Sequence, residues 1–158
     1  MSAAAIELRI RRMTVADLDR VMAIARSLRR APQWPRSVYE AALNPRSTLK
    51  RIALLTLDTA TGTVIGFTVA RLAPPEAELE TIAVASRFQR RGVAQQLFRE
   101  LAFELRLAQV NEVLLEVRMS NLPAQALYRS LGFVEAGWRP RYYTEPVEDA
   151  VLMRFMIA

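Results

Sequence analysis

The sequence predicts a mixed α/β fold, with a central mixed sheet of about six or seven strands flanked by about four helices. Two observations predict it. Some segments have alternating or continuous apolar residues, as strands do. Between them lie segments whose apolar residues recur every three or four positions, as in amphipathic helices. The length of 158 residues fits one domain, here residues 1–158, and is enough to bury a sizeable core.

These periodicities, with the Gly and Pro positions, place the elements along the chain. The predicted strands cover residues 6–10, 51–57, 64–71, 77–84, 112–117, 133–138 and 150–157. The predicted helices cover residues 18–28, 36–43, 93–105 and about 122–131. Because helices separate the fourth, fifth and sixth strands, we expect parallel neighbours there. We expect antiparallel pairs for the hairpin around Gly62 and for the end of the chain.

The composition restricts the chemistry. The chain has no Cys and no His, which excludes Cys/His zinc sites, thiol nucleophiles, disulfides and Ser-His-Asp triads. No metal site is expected. Acid–base chemistry must therefore come from carboxylates, tyrosines, water or Lys50, which is the only lysine.

The positive charge comes almost entirely from arginine. There are 22 Lys and Arg against 16 Asp and Glu, a net charge of +6. Arginine suits phosphates and carboxylates, so a polyanionic partner and a solvated arginine-rich surface are both open. The arginines are scattered rather than set in a stripe with aromatics, which argues against a nucleic-acid-binding module. No apolar run predicts a membrane span and residues 1–6 lack a signal pattern, so we expect a cytoplasmic protein.

The sharpest local motif is Gln89-Arg90-Arg91-Gly92-Val93-Ala94, which follows an apolar strand and opens the third predicted helix. A helix N-terminus offers free N–H groups and partial positive charge, which suits a phosphate. Gly92 permits close approach of the backbone, and Arg90 and Arg91 would add charge-assisted contacts. The motif is neither a Walker loop nor a dinucleotide fingerprint. The alternative is an ordinary strand–loop–helix connection with exposed arginines.

Further motifs surround this loop in a fixed order. They are Ile82-Ala83-Val84, Phe88-Gln89-Arg90-Arg91-Gly92, Leu115-Glu116-Val117-Arg118, Ser120-Asn121, Ala126-Leu127-Tyr128, Ser130-Leu131-Gly132-Phe133, Arg141-Tyr142-Tyr143 and Glu148-Asp149-Ala150. From Ala77 to the end, the sequence resembles the GNAT superfamily of N-acetyltransferases, and within it the ribosomal-protein alanine N-acetyltransferase (RimI-like) branch. Before residue 76 only the order of elements agrees, and residues 30–35 depart from the branch.

The resemblance implies a GNAT fold and acetyl-CoA as co-substrate. The loop fits the superfamily's Arg/Gln-x-x-Gly-x-Gly/Ala pattern for the pyrophosphate, with alanine at the last position. The implied cofactor-binding residues are Ile82, Ala83 and Val84 for the pantetheine arm and thioester oxygen, Arg90, Arg91, Gly92, Val93, Ala94 and Gln95 for the pyrophosphate, and Asn121.

The resemblance also implies two catalytic residues. Glu116 would be the general base, through water, and Tyr128 the acid that protonates the departing thiolate. Asn121 and Tyr128 are two helical turns apart and so lie on nearly one face. Glu116 lies near the C-terminal end of a presumed parallel strand, where α/β ligand sites collect. The alternatives are a surface carboxylate paired with arginine and a core tyrosine.

A rival base lies on the fourth strand. Glu78 and Glu80 share one face of it. Glu80 precedes Ile82 by two residues, and other branches of the superfamily take their base from that strand. We rank Glu116 first and Glu80 second.

The acceptor amine is expected between residues 29–37 and the connection 139–148. Trp34, Tyr142 and Tyr143 could line this entrance, and Glu145, Glu148 and Asp149 could attract a cation. A peptide α-amine, with an ordinary pKa near 8, suits a carboxylate base better than lysine does. The RimI-like resemblance likewise implies a protein N-terminus, attacking acetyl-CoA directly in a ternary complex.

Three other functions stay open. They are acetylation of a small-molecule amine, an arginine-rich RNA- or ribosome-binding module without catalysis, and an acetyl-CoA-binding regulator without turnover. The apolar final strand could also pair with a second copy to give a homodimer.

Overall fold

A computed structural model describes residues 6–158 and shows a single seven-stranded sheet with helices on both faces. The strands are β1 Leu8–Arg12, β2 Arg51–Asp58, β3 Thr63–Ala73, β4 Glu76–Val84, β5 Glu112–Arg118, β6 Val134–Thr144 and β7 Val147–Met156. The helices are α1 Leu18–Ser27, α2 Arg36–Leu43, α3 Val93–Leu107 and α4 Leu122–Leu131. The expected mixed sheet with about four helices is confirmed.

The helices divide the core into two layers. On one face, α3 buries Val93, Leu97, Leu101 and Leu105, the four residues spaced every four positions in the sequence. On the other face, α1 and α2 pack against the middle of β2 and β3, with Tyr39 edge-on to Phe67. None of the helices within residues 6–158 combines the length and apolar character that a membrane crossing needs. We expected no secretory signal in residues 1–6. Residues 1–5 of that segment lie outside the described part of the chain.

The strand order differs from the expectation in the second half. The order is β1-β2-β3-β4-β5-β7-β6, and only β4 and β5 form a parallel pair. The fifth and sixth strands are not neighbours, because β6 and β7 form a tight hairpin that joins the sheet as a unit. β7 lies inside because Ala150, Val151 and Met153 are buried, whereas β6 is exposed along most of its length.

The hairpin also replaces the expected loop at residues 139–148. β6 continues to Thr144 and β7 begins at Val147, so most of this segment is strand. Its polar residues lack a strand's usual alternation because an edge strand exposes both faces. The final strand, expected to be free for a second copy, is paired on both sides. The homodimer therefore loses the observation on which it depended and stays a prediction.

Candidate active site

The site begins where β4 and β5 separate. Their parallel pairing covers only three positions and ends at Glu78 opposite Leu114. Just beyond, β4 has a β-bulge: Leu79 and Thr81 face consecutive residues of β3, which leaves Glu80 as the extra residue. Because a bulge bends its strand and increases the local twist, it accounts for the divergence. The gap is a cleft of about 920 Å³, bordered by β4, β5, α3, α4 and the α1–α2 connection.

The end of β4 forms one wall. Ile82, Ala83 and Val84 line the cleft, and their β-ladder partners are all on β3. β5 does not pair with these three residues, so the second edge of β4 lies along the cleft. Free N–H and C=O groups on such an edge can pair with the amide groups of an extended ligand. These three residues therefore lie where the sequence expected them.

The segment 89–94, which we call the anion loop because of its predicted role, lies at one end of the cleft. Arg90 and Gly92 both have left-handed backbones, with φ of 60° and 81°, and Gly92 precedes the first residue of α3. Gln89 ties the loop to β4 by donating from Nε2 to the Val84 carbonyl at 2.9 Å. Successive N–H groups in such a turn make a concave anion site, which the N-terminus of α3 strengthens. A Cβ on Gly92 would meet no atom within 4 Å, so the space above it is open.

The expected phosphate-binding residues divide into two groups. Arg90, Gly92, Val93, Ala94 and Gln95 line the cleft. Arg91 is not among the lining residues; its guanidinium lies 6.0 Å from the centre of the Phe88 ring.

Asn121 lies at the other side of the cleft as the N-cap of α4. Its Oδ1 accepts from the Ala124 backbone N–H at 3.2 Å, the bond that is typical of an asparagine N-cap. The same oxygen accepts from Arg30 Nη1 at 3.2 Å. Arg30 comes from the α1–α2 connection, so this bond links two walls of the cleft. Sequence reasoning did not find Arg30, because it lies in the segment without a familiar motif.

Tyr128 lines the same wall, two turns further along α4. Its ring packs against Phe133, with the ring centres 6.0 Å apart. Burial raises the pKa of Tyr128 to about 12, with a smaller contribution from Tyr143. The hydroxyl therefore stays protonated at neutral pH and can give a proton to a group beside it.

Glu116 reaches the cleft from β5. Its neighbours Leu115 and Val117 are buried on the opposite face, so alternation directs Glu116 away from the α3 layer. Glu116 Oε1 lies 2.7 Å from Arg139 Nε. The Tyr142 hydroxyl donates to the same carboxylate, and this bond is the main reason that the pKa of Tyr142 rises to about 12. Glu116 thus has two polar partners, both from β6.

The rival base is more tightly held. Glu80 also lines the cleft, but its carboxylate accepts from Arg51 Nε at 2.7 Å and Nη2 at 3.4 Å. The side chains are only 17% and 12% exposed, so this pair is enclosed. Glu78 does not line the cleft and pairs with Arg71 at 2.7 Å.

The expected acceptor entrance is only partly formed as predicted. Tyr143 lines the cleft, with the Arg118 guanidinium 4.2 Å from its ring centre. Trp34 does not line it; its ring packs on Tyr39, 5.2 Å away, in the α1–α2 layer. That expectation was wrong because the apolar layer beneath α1 and α2 is large enough to take up the indole.

The carboxylates of the hairpin have structural partners. Glu148 accepts from the Ser120 N–H at 2.5 Å and from Arg118 at 3.3 Å, and the bonds from Ser120 lower the pKa of Glu148. Asp149 accepts from the Arg141 N–H at 2.9 Å, where β6 bulges and Arg141 has φ 52°. Neither of these two is a free attractor for a cation.

Gln125 is a site residue that sequence reasoning missed. It is buried, and its Nε2 donates to the carbonyls of Arg118 and Met119 at 3.1 and 2.8 Å. It thereby fixes α4 to the end of β5. The available signal was a polar residue one turn after the Asn121 cap, on a face otherwise expected to be apolar.

Comparisons with known proteins agree with this fold. The acetyltransferase (GNAT) family model matches residues 18–133. The chain is similar to an uncharacterized protein of Mycobacterium leprae, 38% identical over 144 residues, which are 90% of this chain and 39% of that protein. It is also similar to the N-alpha-acetyltransferase RimI of Mycobacterium tuberculosis, 43% identical over 97 residues, 59% of this chain and 60% of that protein. The matched regions are thus less than two thirds of either relative.

A solved structure gives a longer match. The crystal structure of the ribosomal-protein-S18-alanine N-acetyltransferase from Escherichia coli has a TM-score of 0.80 and 31% sequence identity. The match covers 96% of this chain and 95% of that one.

The Glu116–Tyr142 bond can be tested by titration. A neighbouring carboxylate favours the neutral phenol, so Glu116→Gln should lower the pKa of Tyr142 from about 12 towards its ordinary value near 10. At pH 11 Tyr142 should be mostly neutral in the parent and mostly ionised in the variant. Tyrosine ring ¹³C NMR, assigned with Tyr142→Phe, would measure this. Glu112→Gln on the same strand is the control, and equal titration in all three proteins would contradict the contact.

Proposed function

Because the chain belongs to the acetyltransferase (GNAT) family, we propose that it transfers the acetyl group of acetyl-CoA to a primary amine. The observation that carries the proposal is the single cleft that unites an anion loop, an unpaired edge of β4, Glu116 and Tyr128. In acyl transfer from a coenzyme A thioester, these four features would serve as a phosphate site, an amide-binding edge, a base and an acid. We propose that residues 1–158 act as one domain in the cytoplasm.

The cleft suits acetyl-CoA, which would supply the activated acetyl group. Its volume of about 920 Å³ is in the range of sites that enclose small-molecule ligands. The left-handed turns at Arg90 and Gly92, with the N-terminus of α3, suit a diphosphate. The edge of Ile82, Ala83 and Val84 suits the amides of the pantetheine arm, and Asn121 lies across the cleft from them.

In this proposal the amine nitrogen attacks the thioester carbonyl directly. The C–N bond forms and the C–S bond breaks. Glu116 takes a proton from the amine through water, and Tyr128 gives one to the departing thiolate. Tyr128 suits the second role because its phenol lines the cleft and is protonated at neutral pH, so it holds a proton to donate. Glu116 suits the role of base better than Glu80 does, because the enclosed ion pair with Arg51 restrains Glu80.

The acceptor that we propose is a protein N-terminus beginning with alanine. The relative from M. tuberculosis is named an N-alpha-acetyltransferase, and the structure from E. coli is that of a ribosomal-protein-S18-alanine N-acetyltransferase. Four arginines on β2, β3, β5 and β6 pair with carboxylates, which reduces the positive charge that the sheet could offer to a nucleic acid. These pairs are Arg51–Glu80, Arg71–Glu78, Arg118–Glu148 and Arg139–Glu116.

The direct test is acetyl transfer to a short peptide. With acetyl-CoA and a peptide that begins with alanine, we expect CoA release and one added acetyl group on the α-amine, located by fragment mass spectrometry. The same peptide with a blocked N-terminus and a free lysine is the control. Transfer only to small diamines or aminoglycosides would replace the acceptor, and release of no CoA with any amine would reject the activity.

The anion loop can be tested with matched glycines. Gly92→Ala should weaken CoA binding by more than about tenfold, because its Cβ enters the open space where a phosphate would approach. Gly62→Ala is the control, since Gly62 also has a left-handed backbone, φ 70°, and open space around it. Both should lose about 1–2 kcal/mol of stability. Calorimetric titration would measure both Kd values, and equal affinity in the two variants would reject the loop as the phosphate site.

The catalytic pair is tested by Tyr128→Phe and Glu116→Gln. Each should lower kcat by roughly 10²-fold or more, the usual contribution of a positioned acid or base. Tyr39→Phe and Glu112→Gln are the controls, since the first lies in the other core layer and the second at the far end of β5. A rate in either test variant equal to that of its control would remove that residue from its role.

A further inference from the structure

Glu116 already holds a cation where the proposed mechanism needs a substrate. Its partner Arg139 lies on β6, two strands away, with β7 between them. The register places Glu116, Leu152 and Gly137 in one row across the three strands. The next row on the same face of the sheet, two positions along each strand, holds Arg118, Ala150 and Arg139. Because Ala150 and Gly137 are small, the Arg139 side chain can cross β7 and reach Glu116 Oε1 at 2.7 Å.

The pair is a problem for catalysis if it is permanent. A peptide α-amine has an ordinary pKa near 8, so at neutral pH it arrives mostly as an ammonium ion. Arginine does not deprotonate in proteins, so the guanidinium of Arg139 cannot take the proton of the amine in place of Glu116. While it holds Oε1, it occupies one side of the carboxylate that must receive a proton.

The surroundings of Arg139 allow it to leave. Its side chain is 57% exposed, whereas that of Glu116 is 18% exposed. In contrast, Arg51 is 12% exposed and donates twice to Glu80. Arg118 is likewise fixed, by two backbone carbonyls, Glu148 and the Tyr143 ring. Arg139 also lies 5.9 Å from the ring of Tyr142, which offers an aromatic face beside the carboxylate.

We propose that Arg139 is a displaceable counter-ion and that the acceptor's ammonium group takes its place at Glu116. The inference rests on the proposed function of Glu116. It makes Arg139 a specificity-determining residue, because only an acceptor that brings its own positive charge replaces the guanidinium without leaving the negative charge of Glu116 uncompensated. The preferred substrate class is therefore a cationic primary amine, such as a peptide N-terminus, rather than a neutral or aromatic amine. Tyr142 keeps its bond to Glu116 in both arrangements.

Arg139→Ala tests this directly. Without the competing guanidinium, the acceptor peptide should bind about two- to fivefold more tightly to the CoA complex, the factor that an exposed ion pair accounts for. Its KM should fall by a similar factor. Methylguanidinium should fill the gap and raise the apparent KM of the variant again, in competition with the peptide but not with acetyl-CoA. Arg154→Ala is the control, because Arg154 also pairs with a β5 carboxylate, Glu112, but away from the cleft.

Opposite results would overturn the proposal. Equal or weaker peptide binding in Arg139→Ala would show that the guanidinium does not compete. A fall in kcat that methylguanidinium restores, at unchanged KM, would show instead that Arg139 orients Glu116. Calorimetric peptide binding to the CoA complex needs no turnover. Failure of the proposed function would appear separately, as tight peptide binding without transfer or as full activity in Glu116→Gln.

Discussion

The separation of β4 from β5 is the constraint on which the rest of the site depends. Two adjacent parallel strands normally share hydrogen bonds along their length, yet here pairing stops at Glu78 and Leu114. The bulge at Glu80 bends β4, and the buried Thr68 hydroxyl holds the strand beyond it by donating to the Thr81 carbonyl at 2.8 Å. The edge of residues 82–84 that does not pair with β3 then faces a gap, where free backbone groups favour a ligand that can bond with them. The anion loop follows directly because β4 leads into it.

The β6–β7 hairpin completes the other side. The edge strand β6 bulges at residues 140–142, and Asp149 stabilises the bulge by accepting from the Arg141 N–H. This local distortion accompanies the contact of Tyr142 with Glu116, two strands away. Arg139 reaches the same carboxylate over the small residues of β7 and β6. The electrostatic environment of Glu116 is thus set by a hairpin distant in sequence, whereas β4, α3 and α4 form the side of the cleft at which we propose that the cofactor binds.

Local patterns predicted much of the fold. Leu97, Leu101 and Leu105 gave α3 its buried stripe, Gly92 marked the start of α3, and Gly132 marked the end of α4. These features depend on neighbours within one or two turns, so the sequence contains them directly. The positions of Glu116, Asn121 and Tyr128 around one cleft followed from the resemblance together with strand direction.

What could not be predicted depends on pairing over long distances. Neither the extent of β6 nor the place of β7 between β5 and β6 is visible in a polar, unalternating segment. Arg139 and Tyr142 could be assigned to Glu116 only once that register was known. Trp34 was expected at the entrance because aromatic residues in loops often contact ligands. Instead, the ring of Trp34 packs on Tyr39, a contact that no local pattern predicts.

The buried Gln125 has a consequence for how such a site can diverge. By fixing the carbonyls of Arg118 and Met119, it joins α4 to the end of β5, so Tyr128 and Glu116 belong to one rigid unit. The edge strand β6 and the α1–α2 connection contact that unit through exposed side chains such as Arg139 and Arg30. Substitutions in those two segments can therefore accumulate without disturbing the spacing of the two inner residues. Under selection for a new acceptor, the residues at the rim of the cleft could change while Glu116 and Tyr128 keep their positions.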